Sequence, residues 1–218
     1  MASADPAIEL KGVSKRFGAT RALDGSDLTV SRGEAVALVG SNGAGKTTLL
    51  KIIATLILPD QGDVRVAGIP ALREPARAKA RVGLLVADDR SFYPRLTGRQ
   101  NLAFFAALWG FSSARFAARL SELSGDLGLS DWLDRPHQEC SAGGKQRLAL
   151  ARCLMPGPEI LLLDEPTRSL DPAAAAALQE TLGRLVLSGA TLLFATHSHE
   201  EAKRLSDRVL TVEEGRLR

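Results

Sequence analysis

The chain has 218 residues, 45% hydrophobic and 24% charged, with a formal net charge of +3 and a sequence isoelectric point near 9.1. That length accommodates one large domain with a real core, and the composition is that of an ordinary soluble globular protein rather than a disordered or bilayer-embedded one. Cys140 and Cys153 make neither a disulfide framework nor a C-x-x-C pair, which suits a reducing cytosol, and the scattered lysines and arginines read as a solvated surface, so no nucleic acid is expected as a partner.

Residues 1–5 lack a basic-then-apolar leader and read as a disordered start. Short runs at 7–13, 26–30, 35–39 and 63–66 predict strands, separated by breakers at Gly33, Pro59 to Gly62 and Gly68 to Pro70. Directly after the 35–39 run come Gly40, Ser41, Asn42, Gly43, Ala44, Gly45, Lys46 and Thr47, which match G-x-x-x-x-G-K-[ST] at every position. The glycines let the chain curl with backbone N–H groups pointing inward onto phosphate oxygens. Lys46 supplies a positive charge for the β- and γ-phosphates, and the Thr47 hydroxyl suits Mg²⁺. From Thr48 onward the sequence reads as a helix whose N-terminus faces the anion. The segment therefore predicts a nucleoside triphosphate site.

The middle of the chain changes character. A strand at 82–86 is followed by apolar and aromatic residues over 99–110, and Phe116, Leu120, Leu123 and Leu127 then fall at helical spacing. The longest apolar stretch, 102–111, is about half of the ~20 residues a membrane span needs. A helical subdomain over about 83–150, inserted in a nucleotide-binding core, is the expected arrangement. Beyond it the alternation returns: a buried strand at 160–163, an alanine-rich helix at 172–187, a buried strand at 191–196, a helix at 202–205 and a last strand at 208–212. Apolar strands alternating with helices predict an α/β core with a mainly parallel sheet.

Asp164 and Glu165 stand at the carboxyl end of the 160–163 strand, where open α/β sheets bind ligands. Neighbouring side chains in a strand point to opposite faces, so a division of labour is expected, with Asp164 on Mg²⁺ and Glu165 aimed at the attacking water. His197 ends the 191–196 strand in the same way and is a candidate γ-phosphate contact, whereas His137 and His199 read as structural or exposed. Phe17, ahead of Gly18, either packs inward or stacks on a purine.

Taken together these residues resemble the nucleotide-binding subunit of ATP-binding-cassette (ABC) transporters over nearly the whole chain. The resemblance makes 40–47 the Walker A loop, 160–165 Walker B, Glu165 the catalytic base, Ser169-Leu170-Asp171 the D-loop, His197 the switch histidine and Phe17 the adenine-stacking aromatic. Cys140-Ser141-Ala142-Gly143-Gly144-Lys145-Gln146-Arg147-Leu148 stands where the family writes L-S-G-G-Q followed by R-Q-R-L. By that pattern Ser141 and Gly143 meet the γ-phosphate held by a second subunit. This signature departs from the family at Cys140, Ala142 and Gly144. The family's glutamine after the 82–86 strand is also missing, with Asp88 the nearest substitute as a metal contact.

The implied protein is a P-loop ATPase with a mainly parallel sheet, a peripheral antiparallel β portion and the helical insertion, all in one ABC-type domain over 1–218. ATP and Mg²⁺ are its expected cofactors. Its expected partners are a second ATPase subunit, most simply an identical copy, and a separate integral membrane permease. It would sit at the cytoplasmic face of the cell membrane. Phe92, Tyr93, Phe104, Phe105 and Trp109 either offer the permease an apolar contact or form the subdomain core. The run from Arg90 to Leu102 resembles subunits of multidrug or polysaccharide exporters. The rival implications are a soluble ABC ATPase without a transport role and a regulatory subunit of a heterodimeric transporter.

Overall fold

Alternating apolar and polar residues at the start of the chain fold into a long hairpin, β1 (Ile8–Phe17) and β2 (Thr20–Val30), that buries Ile8, Leu10, Val13, Leu23, Leu28 and Val30 on one face. The computed structural model describes residues 6–86, 91–168 and 170–218. They fall into two units: residues 6–86, 159–166 and 183–218 in the first, and 91–158 with 167–168 and 170–182 in the second.

The first unit holds two sheets. With β4 (Gln61–Val66) and β5 (Ile69–Pro70), the hairpin makes an antiparallel sheet of order β2-β1-β4-β5. The second sheet is built around β3 (Ala35–Val39), which runs into α1 (Lys46–Ile53). After the short α2 (Pro75–Lys79) comes β6 (Val82–Leu85), and β7 (Ile160–Asp164) and β8 (Thr191–Thr196) follow later in the chain. The helix α8 (His199–Leu205), β9 (Arg208–Glu213) and β10 (Arg216–Leu217) complete the unit. The strand order is β10-β9-β3-β8-β7-β6, and all neighbours are parallel except β10 with β9. Every residue of β3, β7 and β8 is buried, which is why these strands read as unbroken apolar runs rather than alternating ones.

The second unit is helical: α3 (Gly98–Leu108), α4 (Ser113–Leu127), the short α5 (Ser130–Leu133) and α6 (Ala142–Leu154), joined by the first part of α7 (Pro172–Leu187). Local chemistry sets these boundaries. Thr97 and Gln100 form a reciprocal capping box at α3, and Ser112 caps α4 by accepting from the Arg115 N–H. Leu120, Leu123 and Leu127 form the buried stripe of α4. Fully buried Asn101 accepts from the Tyr93 N–H and donates to the carbonyls of Tyr93, Leu96 and Thr97, fixing the approach to α3.

The helical unit differs at both ends from the insertion expected over 83–150. Residues 82–85 hydrogen-bond to Ile160 through Leu163 as a sheet strand, so the helical part begins beyond them. It also runs through the end of α6 and takes in residues 167–182. Among the described residues no helix is long and apolar enough to cross a membrane.

Candidate functional site

The loop between β3 and α1 is shaped by close backbone approach. A Cβ on Gly40 would lie 2.3 Å from the Val212 carbonyl oxygen. One on Gly45 would lie 2.3 Å from that of Ala22, and Gly45 also has a φ of 112° that side chains avoid. The loop is thus braced from behind by β9 and β2 while Ser41, Asn42 and Gly43 stay exposed. Ala44 is tied in at both ends, its N–H donating to Ser41 and its carbonyl accepting from Gly215. Gly45 caps α1 without a side-chain hydrogen bond, so nothing from a capping side chain competes for the first N–H groups of that helix. Thr48 lies in its first turn.

Lys46 is buried, and its ammonium donates to the carbonyl oxygens of Gly40 at 2.6 Å and Ser41 at 3.0 Å. The side chain therefore folds back across the loop it follows, leaving its charge at the loop's mouth. The Thr47 hydroxyl donates to Asp164 Oδ2 at 2.7 Å, joining the start of α1 to the end of β7. Burial pushes the Asp164 carboxyl above its ordinary range and the neighbouring Glu165 carboxylate adds to the rise, while the Thr47 hydrogen bond and the charges of Lys46 and Lys51 oppose it.

Glu165 shows how two adjacent acids come to differ. Its φ is 52°, in the left-handed region, and its N–H donates to the Ala195 carbonyl of β8 at 2.9 Å. That kink turns the side chain away from Asp164. Its Oε2 meets His197 Nδ1 at 2.6 Å, with the carboxylate mostly buried and the imidazole open to solvent. Because the partner is a carboxylate, Nδ1 carries a proton and donates to it. β3, β8 and β7 are adjacent and parallel, so the 40–47 loop, His197 and the acid pair leave the same edge of one sheet. Such an edge is the ligand-binding edge of open α/β sheets.

The residues that lie behind His197 are not among those expected from the sequence. The fully buried Thr196 hydroxyl donates to Glu201 Oε2 at 2.5 Å and accepts from the Ser198 N–H at 3.0 Å. Ser198 in turn caps α8 by accepting from the Glu201 N–H at 3.2 Å. This closed ring of bonds fixes the backbone on both sides of His197, and Glu201 is buried at its centre. The legible signal was Ser198-His199-Glu200-Glu201, which has the S-x-x-E spacing of a capping box. His199 is exposed at the start of α8, and His137 stacks on Phe92 at 4.7 Å.

Phe17 ends β1 at the tip of the hairpin, about half exposed, with the Lys15 ammonium 5.6 Å from its ring centroid. It is not a core residue, so the inward-packing alternative falls away. Ser141, Gly143 and Asp171 belong to the helical unit. Ser141 caps α6 by accepting from the Gly144 N–H at 3.1 Å, and Asp171 accepts from the Ala174 N–H at 2.9 Å at the start of α7. A Cβ on Gly143 would make ordinary van der Waals contact, 3.8 Å from Leu170 Cδ2 and 3.9 Å from Ala174 Cβ. Phe92 is buried, whereas Tyr93, Phe104 and Trp109 are exposed. Asp88, the candidate metal contact, and Ser169 lie outside the described residues.

A glycine-rich loop opening a helix beside two strand-end carboxylates on a parallel sheet defines a nucleoside-triphosphate-binding P-loop fold. The family model described as "ABC transporter" matches residues 23–168, about two thirds of the chain. A second model, described as "AAA domain, putative AbiEii toxin, Type IV TA system", matches only residues 136–201. The daunorubicin resistance ATP-binding protein DrrA3 of Streptomyces coeruleorubidus is 41% identical over 98% of this chain and 67% of its own length. The ABC transporter ATP-binding protein NatA of Bacillus subtilis is 36% identical, covering 96% of this chain and 87% of that protein. A dimeric structure of MJ0796, a bacterial ABC transporter cassette, superposes with a TM-score of 0.88 at 26% identity, covering 96% of both chains. The chain belongs to the ABC transporter family and is its ATP-binding, ATP-hydrolysing subunit type. It spans about two thirds of the length of the daunorubicin-resistance relatives.

Proposed function

We propose that this chain binds ATP with Mg²⁺ and hydrolyses it in a head-to-tail pair of identical subunits, driving export through a separate integral membrane permease at the cytoplasmic face of the cell membrane. The observation that carries this reading is the opposite fate of two neighbouring acids: Asp164 is held by Thr47, Glu165 by His197. Binding and bond-breaking functions are thereby separated at one strand end.

In this reading the N–H groups of residues 40–45 and the first turn of α1, including Thr48, cradle the phosphates, and Lys46 leaves the loop carbonyls for the β- and γ-phosphates. Phe17 stacks on adenine from the hairpin tip. Thr47 and Asp164 carry the hard oxygen donors that would hold Mg²⁺, and the ion held there would supply positive charge to offset that developing on the transferred phosphoryl group. Glu165 accepts a hydrogen bond from the attacking water, while His197, fixed by the Thr196–Glu201–Ser198 ring, touches the γ-phosphate. Ser141, Gly143 and Asp171 complete the site of the opposite subunit. The Ser141 hydroxyl can donate to phosphate while still accepting from Gly144.

Export is supported by the relatives named for drug resistance and by the Nod factor export ATP-binding protein I of Paraburkholderia xenovorans, 40% identical over 97% of this chain. Exposed Tyr93, Phe104 and Trp109 suit a permease contact, while Phe92 serves the subdomain core. Glu165→Gln tests the chemistry: nucleotide affinity is retained, turnover falls about 100-fold or more, and closed dimers accumulate on MgATP. Unchanged hydrolysis in that variant removes Glu165 from its role.

A further inference from the structure

Gly144 is the position where this chain departs most sharply from the family's signature, replacing a glutamine with hydrogen. Its surroundings account for the replacement. A Cβ built on Gly144 would lie 2.6 Å from Cδ2, 2.7 Å from Cε3 and 3.0 Å from Cε2 of Trp132, so the indole already occupies the side-chain space over the first turn of α6. The contacting atoms are ring carbons of a large rigid group, so no small adjustment makes room.

Trp132 is itself held on three sides. Its N–H donates to Leu129 at 2.8 Å, the Arg135 guanidinium lies 5.6 Å from its ring, and its carbonyl oxygen would be 2.6 Å from a Cβ on Gly98 at the start of α3. The Gly98 N–H also donates to the Arg135 carbonyl at 3.1 Å. One residue thus fits against two glycines that open two different helices. Its indole is half-buried, one face on the turn that carries Ser141 and Gly143.

We propose that Trp132 is a positioning residue for the signature turn, and that Trp132 and Gly144 form a matched pair in which the indole takes over the space of the family's glutamine. The altered signature is then a repacked motif rather than a worn one. The proposal rests on the reading that Ser141 and Gly143 engage nucleotide held by a second copy. A counter-intuitive consequence follows: restoring glutamine at 144 harms the site, because the ring and the new side chain compete for one volume.

The test uses the full chain carrying Glu165→Gln, with MgATP-dependent dimerisation followed by light scattering and single-subunit nucleotide affinity by calorimetry. Gly144→Gln should weaken dimerisation about tenfold or more, with nucleotide affinity in the single subunit unchanged, and Trp132→Ala combined with Gly144→Gln should regain most of the loss. Should Gly144→Gln fold poorly, Gly144→Ala presents the same clash with a smaller group. In a Trp109→Phe background Trp132 is the only tryptophan, and Gly144→Ala should shift its emission to the red as the ring moves toward water. Equal or tighter dimerisation with glutamine at 144, a double variant as weak as the summed single ones, or unmoved emission each overturns the pairing. Failure of the parent chain to dimerise on MgATP instead overturns the two-subunit reading, and the proposal with it.

Discussion

Two glycine-rich segments open helices in this chain, and they need glycine for different reasons. At 40–45 the demand comes from main chain: Gly45 has a φ of 112° and no room for a Cβ against the Ala22 carbonyl. At 141–144 it comes from a neighbouring side chain, since the three atoms nearest a Cβ on Gly144 all belong to the Trp132 ring, and the φ of Gly144 is not positive. The helix starts differ accordingly. α1 begins with no side-chain cap, whereas Ser141 already satisfies the third residue of α6. The first turn is built to receive an anion by itself, the second to present a prearranged surface. A backbone requirement is absolute for the motif, while a packing requirement can be exchanged for another fit.

The largest expected effect breaks the backbone side of this comparison. Gly45→Ala should cost about 2–4 kcal/mol from combined strain and overlap, and should abolish nucleotide binding, as seen by thermal unfolding and calorimetry. Lys46→Ala should next lower ATP affinity about 100-fold with little loss of stability, because its present partners are two carbonyls of an exposed loop. Full affinity in that variant would contradict the cradle.

Asp164→Asn separates binding from folding. The native carboxyl is raised above its ordinary 3.8, so between the two values the folded state holds more proton than the unfolded one. The stability this group confers is therefore lost as pH rises through that window, and the neutral amide escapes the loss. Without nucleotide the variant should melt higher than the parent at pH 8, by a margin that shrinks toward acid pH, and should lose Mg²⁺-dependent turnover. A smaller effect is expected from Glu201→Ala, which opens the ring behind His197: turnover should fall about tenfold, and the loss should vanish in a His197→Ala background. Smallest in folding stability is Ser141→Ala, where losing a helix cap costs about 1 kcal/mol, or about 2–4 °C in melting temperature for a chain of this size.

Much of the site was legible because its chemistry is local. The 40–47 spacing, the strand-end acids and His197 each follow one rule: a buried apolar run ends, and a polar group leaves the sheet at its carboxyl edge. The alanine-rich helix over 172–187 matches α7 residue for residue. The 82–86 strand was equally visible, yet its membership in the core sheet moved the helical unit's boundary, since pairing with β7 is a long-range fact. Which way Glu165 turns was also hidden, for its left-handed backbone is imposed by the hydrogen bond to Ala195, thirty residues along the chain.

The amino-acid order alone determined that a phosphate-gripping loop stands between a buried strand and a helix, and that acids and an imidazole end the neighbouring strands. These are consequences of residue type and short spacing. Only the tertiary structure decided what glycine is for at 144, why a glutamate lies buried behind His197, and which acid meets which partner. Those outcomes depend on volumes and hydrogen bonds between residues distant in sequence, and nothing in a linear pattern specifies who fills a space that several side chains fit.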